Sequence, residues 1–452
     1  MVLGNHQTKD TFNAIKSPTA RSASAKLLIS LQAKLNLFSC VLDVKGAYLK
    51  STVKKHKKEN LYIQLPDGSY AKLNKYMYGL KQAGKEWHDN LSGTLVNGGY
   101  SMSSADPCVF SRWYDDDYII MVTHVDDFYV VSNKQHLIDD LYNYLIQEYD
   151  EVTVKSGDVI GYLGMEIRRN SNTGEIKLCQ PGYVEKILKE VKLEEASYCD
   201  TPWPIHIDDK RDDLEFVNKN EYLRLLGLLN YLAIFTRPDI LFALSKAAQK
   251  CTEPNAGDMK RLRRIFRYVG GTKDYGITFN ADDDVKLYAY VDASHNCYDD
   301  GKGHYGLCFT LGKNDGAFYA RSNKLKLVTL SSTESEYVAM CEASTEVVFL
   351  RRLLEDIGFK QDEPTIIFED NKSCIDMIHG LSNHQRSKHI NPKYHFTREQ
   401  VKLGEIAIEY IRTEEMTADI LTKSLPRGVF DKLAKKIINY KKQTKKHKTS
   451  RE

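Results

Sequence analysis

The chain has 452 residues, 42% hydrophobic and 28% charged, enough for two or three domains with their own cores and an ordinary soluble balance. Its net charge of +3 is too small to demonstrate a polyanion partner, although the charge is unevenly placed. No apolar run reaches the ~20 residues of a spanning helix, residues 1–10 are polar, and the nine cysteines include no Cys-x-x-Cys pair, so membrane, secreted, zinc-module and disulfide-scaffold classes are not expected. The pattern fits an intracellular chain with free thiols.

Residues 1–21 carry no strong period. Ser24 is placed as the cap of a helix whose apolar stripe is Leu27, Leu28, Leu31 and Leu35. Residues 37–44 read as an apolar strand that Asp43 interrupts where a core residue belongs, and a lone buried carboxylate is costly without a partner. A basic run, Lys54-Lys55-His56-Lys57-Lys58, precedes a short strand that ends in the turn Pro66-Asp67-Gly68. Residues 78–87 open a helix. In 118–131, two β-branched and aromatic runs flank Asp126-Asp127, which reads as a buried hairpin with two carboxylates at its turn. Adjacent anions repel, so one reading is a bound cation, and hard oxygen donors favour Mg²⁺ over zinc. The other reading is a solvated Asp turn. If the strand of Asp43 pairs beside the hairpin, Asp43, Asp126 and Asp127 form one cluster able to hold two divalent ions about 4 Å apart, a clamp for phosphoryl transfer. A helix over 137–149, a second hairpin from 162–168 and 175–179, and a helix over 181–191 follow.

Four motifs occur in order: Val41-Leu42-Asp43-Val44-Lys45-Gly46-Ala47-Tyr48-Leu49, Tyr78-Gly79-Leu80-Lys81-Gln82-Ala83, Val125-Asp126-Asp127, and Tyr162-Leu163-Gly164-Met165-Glu166-Ile167. Together they resemble the reverse transcriptase of copia-type LTR retrotransposons. The resemblance implies that Tyr48 closes the sugar side of a nucleotide pocket and excludes a 2′-hydroxyl. It implies that Gln82, with Lys81, lies against the incoming nucleotide and template, and that the second hairpin grips the primer end. Taken singly, Tyr48 also reads as an aromatic packing at a strand end, and Lys81 and Gln82 as exposed helix residues.

Residues 199–220 are turn-rich and acidic, a linker candidate, and 221–235, 238–250 and 258–269 read as helices. The last places Lys260, Arg261, Arg263, Arg264 and Arg267 mostly opposite Met259, Leu262, Phe266 and Val269, either a solvated face or a phosphate contact. From Leu287 the pattern turns to strand, with Tyr288, Tyr290 and Asp292 on one face. Strands over 305–311 and 317–321 follow, then a long helix over 332–357 with the stripe Met340, Ala343, Val347, Leu350 and Leu354. Four residues before Met340, Glu336 falls on that line, and Glu334 does not. Residues 365–371 form a strand ending in acids, 406–411 another, and 417–421 begin a final helix. Asp292, Glu336, Asp370 and Asp419 are expected at one sheet edge, where four carboxylates again call for divalent metal, although each alone reads as a surface acid. Their order on strand, helix, strand and helix is similar to ribonuclease H, and 331–337, 388–395 and 418–423 are close to the copia-type version. His389 and His395 read as substrate contacts or as helix-surface residues. Arg412-Thr413-Glu414-Glu415 stands where cellular ribonucleases H carry a His-bearing loop, so no His base is assumed.

The expected fold is a multidomain α+β / α/β chain. It has a reverse-transcriptase palm with partial fingers and the start of a thumb over 1–198, and a linker with helical thumb/connection over 199–284. A ribonuclease H-like mixed sheet with flanking helices over 285–430 and a basic tail over 431–452 complete it. The resemblance implies an RNA-directed DNA polymerase with ribonuclease H activity. Mg²⁺, with Mn²⁺ as an alternative, would sit on the two acid sets, and the partners would be RNA template, DNA primer, RNA–DNA hybrid and dNTPs. Other Pol or Gag products are further expected partners, no membrane is, and the expected location is cytoplasmic virus-like particles, with the nucleus as an alternative. The rivals are a non-catalytic nucleic-acid-binding remnant and a nuclease alone. The chain begins about forty residues before Asp43, which leaves out most of the basic fingers. His124 stands where the family has an aromatic, and the protease and integrase parts are absent. A polyprotein fragment or a decayed genomic copy is therefore expected.

Overall fold

The computed structural model describes residues 16–53, 61–205, 215–380 and 395–441. The basic run at 54–58, His389 and residues 442–452 of the basic tail lie outside them. Contacts divide the chain into two compact units, Met1–Leu163 with Phe349–Lys360, and Gly164–Val348 with Gln361–Glu452.

The first unit is built on an antiparallel sheet in the order Ser101–Met102, Val109–Tyr114, Asp117–His124, Asp127–Ser132, Phe38–Val44, Val152–Lys155. Alternation along the strands sends Cys40, Leu42, Val44, Ile119, Met121, Phe128 and Val130 to one face. There they pack against Trp87, Leu91 and Leu95 of the helix Ala83–Asn97 and Leu137, Ile138, Leu141 and Leu145 of Gln135–Tyr149. On the other face lies the helix Ser22–Lys34, whose Gln32 accepts a hydrogen bond from the Tyr129 hydroxyl. This helix is buried on all sides, polar residues included. That explains why Ser24 is not its cap: Arg21 holds the cap position, and the Ser24 hydroxyl donates to buried Asp106 instead (2.6 Å). The helix expected from residue 78 begins only at Ala83, because Gly79 at φ 104° is in a left-handed conformation that no helix continues.

The second unit carries the antiparallel strands Met165–Arg169, Ile176–Cys179 and Ile277–Phe279. With them are the helices Pro181–Glu190, Lys219–Phe235, Leu241–Ala248 and Ala256–Gly271. The last starts on a reciprocal cap between Asn255 and Asp258. A five-stranded sheet follows in the order Tyr319–Val328, Lys302–Leu311, Leu287–Ser294, Thr365–Glu369, Ile406–Tyr410. The first three strands are antiparallel and the last two join in parallel. The strand expected over 317–321 runs to Val328; as an edge strand it exposes much of its length, so its polar second half concealed it. The long helix is Ser332–Asp356, and Met340, Ala343, Val347, Leu350 and Leu354 are all fully buried, as its period predicts. The final helix does not begin at Thr417. Residues Thr417–Leu421 make one 3₁₀ turn, and a separate helix Arg427–Ile437 starts after Pro426, burying Phe430, Leu433, Ala434 and Ile437. Proline lacks the N–H that a continuous helix would need there. Among the described residues no helix is long and apolar enough to cross a membrane, and the nine cysteines are free thiols.

Candidate active sites

In the first unit the strands Asp117–His124 and Asp127–Ser132 pair so that His124 faces Asp127, leaving Val125 and Asp126 as a two-residue turn. The strand Phe38–Val44 pairs on the other side with Asp43 opposite Asp127, and Val44 N–H donates to Asp126 carbonyl (3.0 Å). Asp43 thus comes beside the adjacent pair Asp126-Asp127 at one end of the sheet, although these three are not among the groups of described acids whose oxygens all lie within 4.8 Å of one another. Val125 adopts φ 59°, a strained conformation for a β-branched residue. The Trp87 indole N–H holds it by donating to its carbonyl (2.6 Å). Burial, followed by the charges of Asp126 and Asp43, raises the Asp127 carboxyl above its usual range.

Two further residues of the quoted motifs belong to this site although neither was singled out. Lys45 Nζ lies 2.9 Å from Asp43 Oδ1, and the Tyr78 hydroxyl donates to Asp126 Oδ2 (3.4 Å). Lys45 follows Asp43 by two residues, the strand period, so its position was readable. Tyr48 packs its ring 4.4 Å from that of Tyr78. Burial, then the charge of Asp126, raises its phenol. Lys81 is exposed, whereas Gln82 is buried at the start of the helix Ala83–Asn97, beside Ala83, which packs with Tyr48 in a small core.

In the second unit the parallel register pairs Tyr290 with Phe368, and two residues further on it brings Asp370 beside Asp292. Asp292 faces Gly306 across the antiparallel pair. A Cβ at Gly306 would lie 2.5 Å from Leu421 Cβ and 3.0 Å from Ala418 carbonyl oxygen, so only glycine lets the turn bearing Asp419 settle on the sheet. Asp292, Asp370 and Asp419 each offer a ligand oxygen within 4.8 Å of the others, and so do Glu336, Glu369 and Asp370. The four acids expected at this edge are therefore together, and Glu369 joins them. Glu334, off the helix line, accepts from Leu330 N–H (2.7 Å) at the helix start.

This centre is largely buried. Burial, then the charge of Asp419, pushes the Asp292 carboxyl up to about 7, and the Thr422 hydroxyl donates to it. Burial, then Glu369, raises Glu336 well above its usual range; burial likewise raises Glu369, against a bond from Asn371 N–H. Burial raises Asp419 too, opposed by Lys423 at 2.7 Å. Burial alone would lower the Lys423 ammonium, but Asp292, Asp419 and Asp370 outweigh it and hold it above its usual value. Glu336 Oε2 and Glu369 Oε2 are buried with no hydrogen-bond partner among the described residues. Hard oxygens without a proton donor are the donor set that a divalent cation satisfies.

Histidines contact the two residues next to Glu336 in the chain. His295 Nδ1 lies 3.1 Å from Thr329 Oγ1 and 3.3 Å from Ser335 Oγ, and His395 Nδ1 lies 2.9 Å from the Tyr337 hydroxyl. His295 carried no motif signal. On the helix Ala256–Gly271, Arg261 pairs with Asp258 (2.7 Å), Arg264 binds Thr201 carbonyl (3.0 Å), and Arg267 binds Ser197 Oγ (2.8 Å). These three hold the chain's own segments, while Lys260 and Arg263 stay exposed.

The first sheet, with its paired-carboxylate hairpin, is a reverse-transcriptase palm, and the five-stranded sheet in this order is ribonuclease H-like. Residues 2–205 match the family described as reverse transcriptase (RNA-dependent DNA polymerase). The chain is 31% identical over 456 residues to the retrovirus-related Pol polyprotein from transposon TNT 1-94 of Nicotiana tabacum, covering 97% of the chain and 34% of that protein. It is also 31% identical over 432 residues to the one from transposon RE1 of Arabidopsis thaliana, covering 93% and 29%. A foamy viral protease-reverse transcriptase in complex with dsDNA aligns at TM-score 0.52 and 13% identity, over 89% of this chain and 73% of that one, a likeness of fold. Over nearly its whole length the chain is thus similar to part of the copia-type retrotransposon Pol polyproteins, and over residues 2–205 to the reverse transcriptase family. It spans about a third of the length of these curated relatives.

Proposed function

We propose that the chain is an RNA-directed DNA polymerase whose second module degrades the RNA strand of the hybrid product, using Mg²⁺ at both centres. The observation that carries this reading is the pair of separate carboxylate clusters, each assembled at the end of a sheet. Bound divalent ions supply activation of the attacking oxygen and stabilisation of the leaving one. At the palm, Asp43, Asp126 and Asp127 offer the oxygens, Lys45 offsets the charge of Asp43, and Tyr78 orients Asp126. Trp87 keeps the turn closed, and Tyr48 would exclude a sugar 2′-hydroxyl. At the nuclease centre Asp292, Glu336, Asp370 and Asp419 are the ligands, with Lys423 holding Asp419. Template, primer and dNTPs are the substrates of the first module and the hybrid that of the second. Lys260 and Arg263 are the exposed cations of the helix Ala256–Gly271 left for phosphate contact. The place of action is a cytoplasmic particle.

Primer extension on an RNA template and cleavage of a labelled hybrid, compared for Asp126→Asn and Asp370→Asn, test the assignment. Asp126→Asn should abolish extension alone and Asp370→Asn cleavage alone. Wild-type rates in both variants would reject the sites, and salt-sensitive binding indifferent to Mg²⁺, with neither activity, would leave a binding remnant.

A further inference from the structure

We infer that Glu369 is a fifth carboxylate of the nuclease centre and ligates the second divalent cation together with Glu336 and Asp370. The inference rests on the nuclease reading above and adds a residue to it. Strict alternation would send Glu369 and Asp370 to opposite faces of the sheet. The strand ends at Glu369, however, and the chain bends at Asp370, so both carboxylates reach one place.

Glu369 is fully buried, and Glu336 is 4% exposed. One Glu369 oxygen is engaged, Oε1 accepting from Asn371 N–H (2.9 Å), while Oε2 and the Oε2 of Glu336 have no partner among the described residues. Asn371 is itself fixed as the cap of the helix Lys372–His379, accepting from Cys374 N–H (3.1 Å). The Glu369 carboxylate is therefore pinned by one oxygen and keeps the other without a donor among the described residues, within a group whose Glu336 and Asp370 oxygens lie within 4.8 Å.

Two buried anions side by side are unfavourable unless a cation joins them. Lys423 pairs with Asp419 of the other trio. Asp370 belongs to both trios, so the two groups of acids adjoin and together could hold two ions. Oxygens on opposite sides of a Mg²⁺ ion are ~4.2 Å apart at ~2.1 Å per bond. Adjacent oxygens are ~3.0 Å apart, so oxygens that already lie within 4.8 Å of one another would be drawn inward by a bound ion. Formal charge agrees: two divalent cations and the Lys423 ammonium balance five carboxylates, whereas four would leave a surplus positive charge in a largely buried site.

The test is a Mn²⁺ titration followed by electron paramagnetic resonance on the full chain carrying Asp126→Asn and Asp127→Asn, so that the palm does not bind. In that background the nuclease centre should take two ions. Glu369→Gln keeps the acceptor for Asn371 N–H but removes the charge. It should weaken one ion about tenfold or more, leave the other unchanged, and raise the metal-free melting temperature. Glu369→Asp keeps the charge but withdraws the oxygen; it should weaken the same ion without raising that temperature. Two ions held at unchanged affinity in both variants, with Asp370→Asn losing them, would overturn the role of Glu369 alone. If Asp370→Asn also binds both, the nuclease reading itself falls.

Discussion

The palm carboxylates sit at a hairpin tip and strand end, with the Asp43 side chain 25% exposed. Asp292, Glu336, Glu369 and Asp419 are each 5% exposed or less. The same residue type is thus held in two electrostatic states. At the palm, neighbouring chain groups serve two of the three acids without metal: Lys45 reaches Asp43 and Tyr78 reaches Asp126, while Asp127 is raised by burial and its neighbours. At the nuclease centre burial raises four acids at once, answered by Lys423, Thr422 and the Asn371 N–H. An open cluster is suited to ions that arrive with a triphosphate. A buried one charges fully only when ions displace its protons.

The largest expected effect separates the two chemistries. Asp43→Asn should lower primer extension by about a thousandfold, since ion-mediated charge stabilisation supplies several kcal/mol and each ~1.4 kcal/mol is tenfold. Hybrid cleavage should not change, and a parallel loss of both would merge the centres.

Next comes stability against pH in metal-free buffer. The Asp292 carboxyl stands at about 7 in the folded chain against ~3.9 unfolded. Between those values the folded state binds more protons than the unfolded one, so stability falls as pH rises through that window and levels off above about 7. The urea midpoint of the wild type should drop relative to Asp292→Asn between pH 5 and 8. A gap between the two that is independent of pH would show that Asp292 is not raised.

Trp87→Phe probes the open site alone. It removes the N–H held by the Val125 carbonyl, a bond worth ~0.5–1.5 kcal/mol, and should slow extension by up to about tenfold with cleavage intact. Val125→Gly should partly restore the rate, because glycine accepts φ 59° without strain; no recovery would mean that the turn is not the link.

The smallest effect concerns the basic helix. Replacing Lys260 and Arg263 together by Ala should lower the salt slope of nucleic-acid binding by up to ~2. Arg267→Ala should lower the melting temperature and leave the slope alone, and the opposite pattern would reassign the face.

Much of the candidate site was legible because its signals are local. Asp43 interrupts an apolar run, Asp126-Asp127 divides two others, and Glu336 lies one helical step from Met340; each anomaly is visible within one turn or one strand. Lys45 and Lys423 were legible too, two and four residues from their partners, yet their pairings emerge only once the acids are known to converge. Glu369 was hidden by its own periodicity, which argues for the opposite face. The first helix misled because its cap is a tertiary matter: Ser24 is used by Asp106, across 82 residues of sequence.

By itself the sequence determined the strands, the long helix and the acids that break their apolar patterns, since side-chain period and burial cost act over a few neighbouring residues. Only the tertiary structure decided which arginines face inward, that Gly306 makes room for the Asp419 turn, and that Glu369 joins the nuclease centre. Those outcomes depend on packing between segments far apart in the chain, where the volume of one side chain and the desolvation of another are settled together.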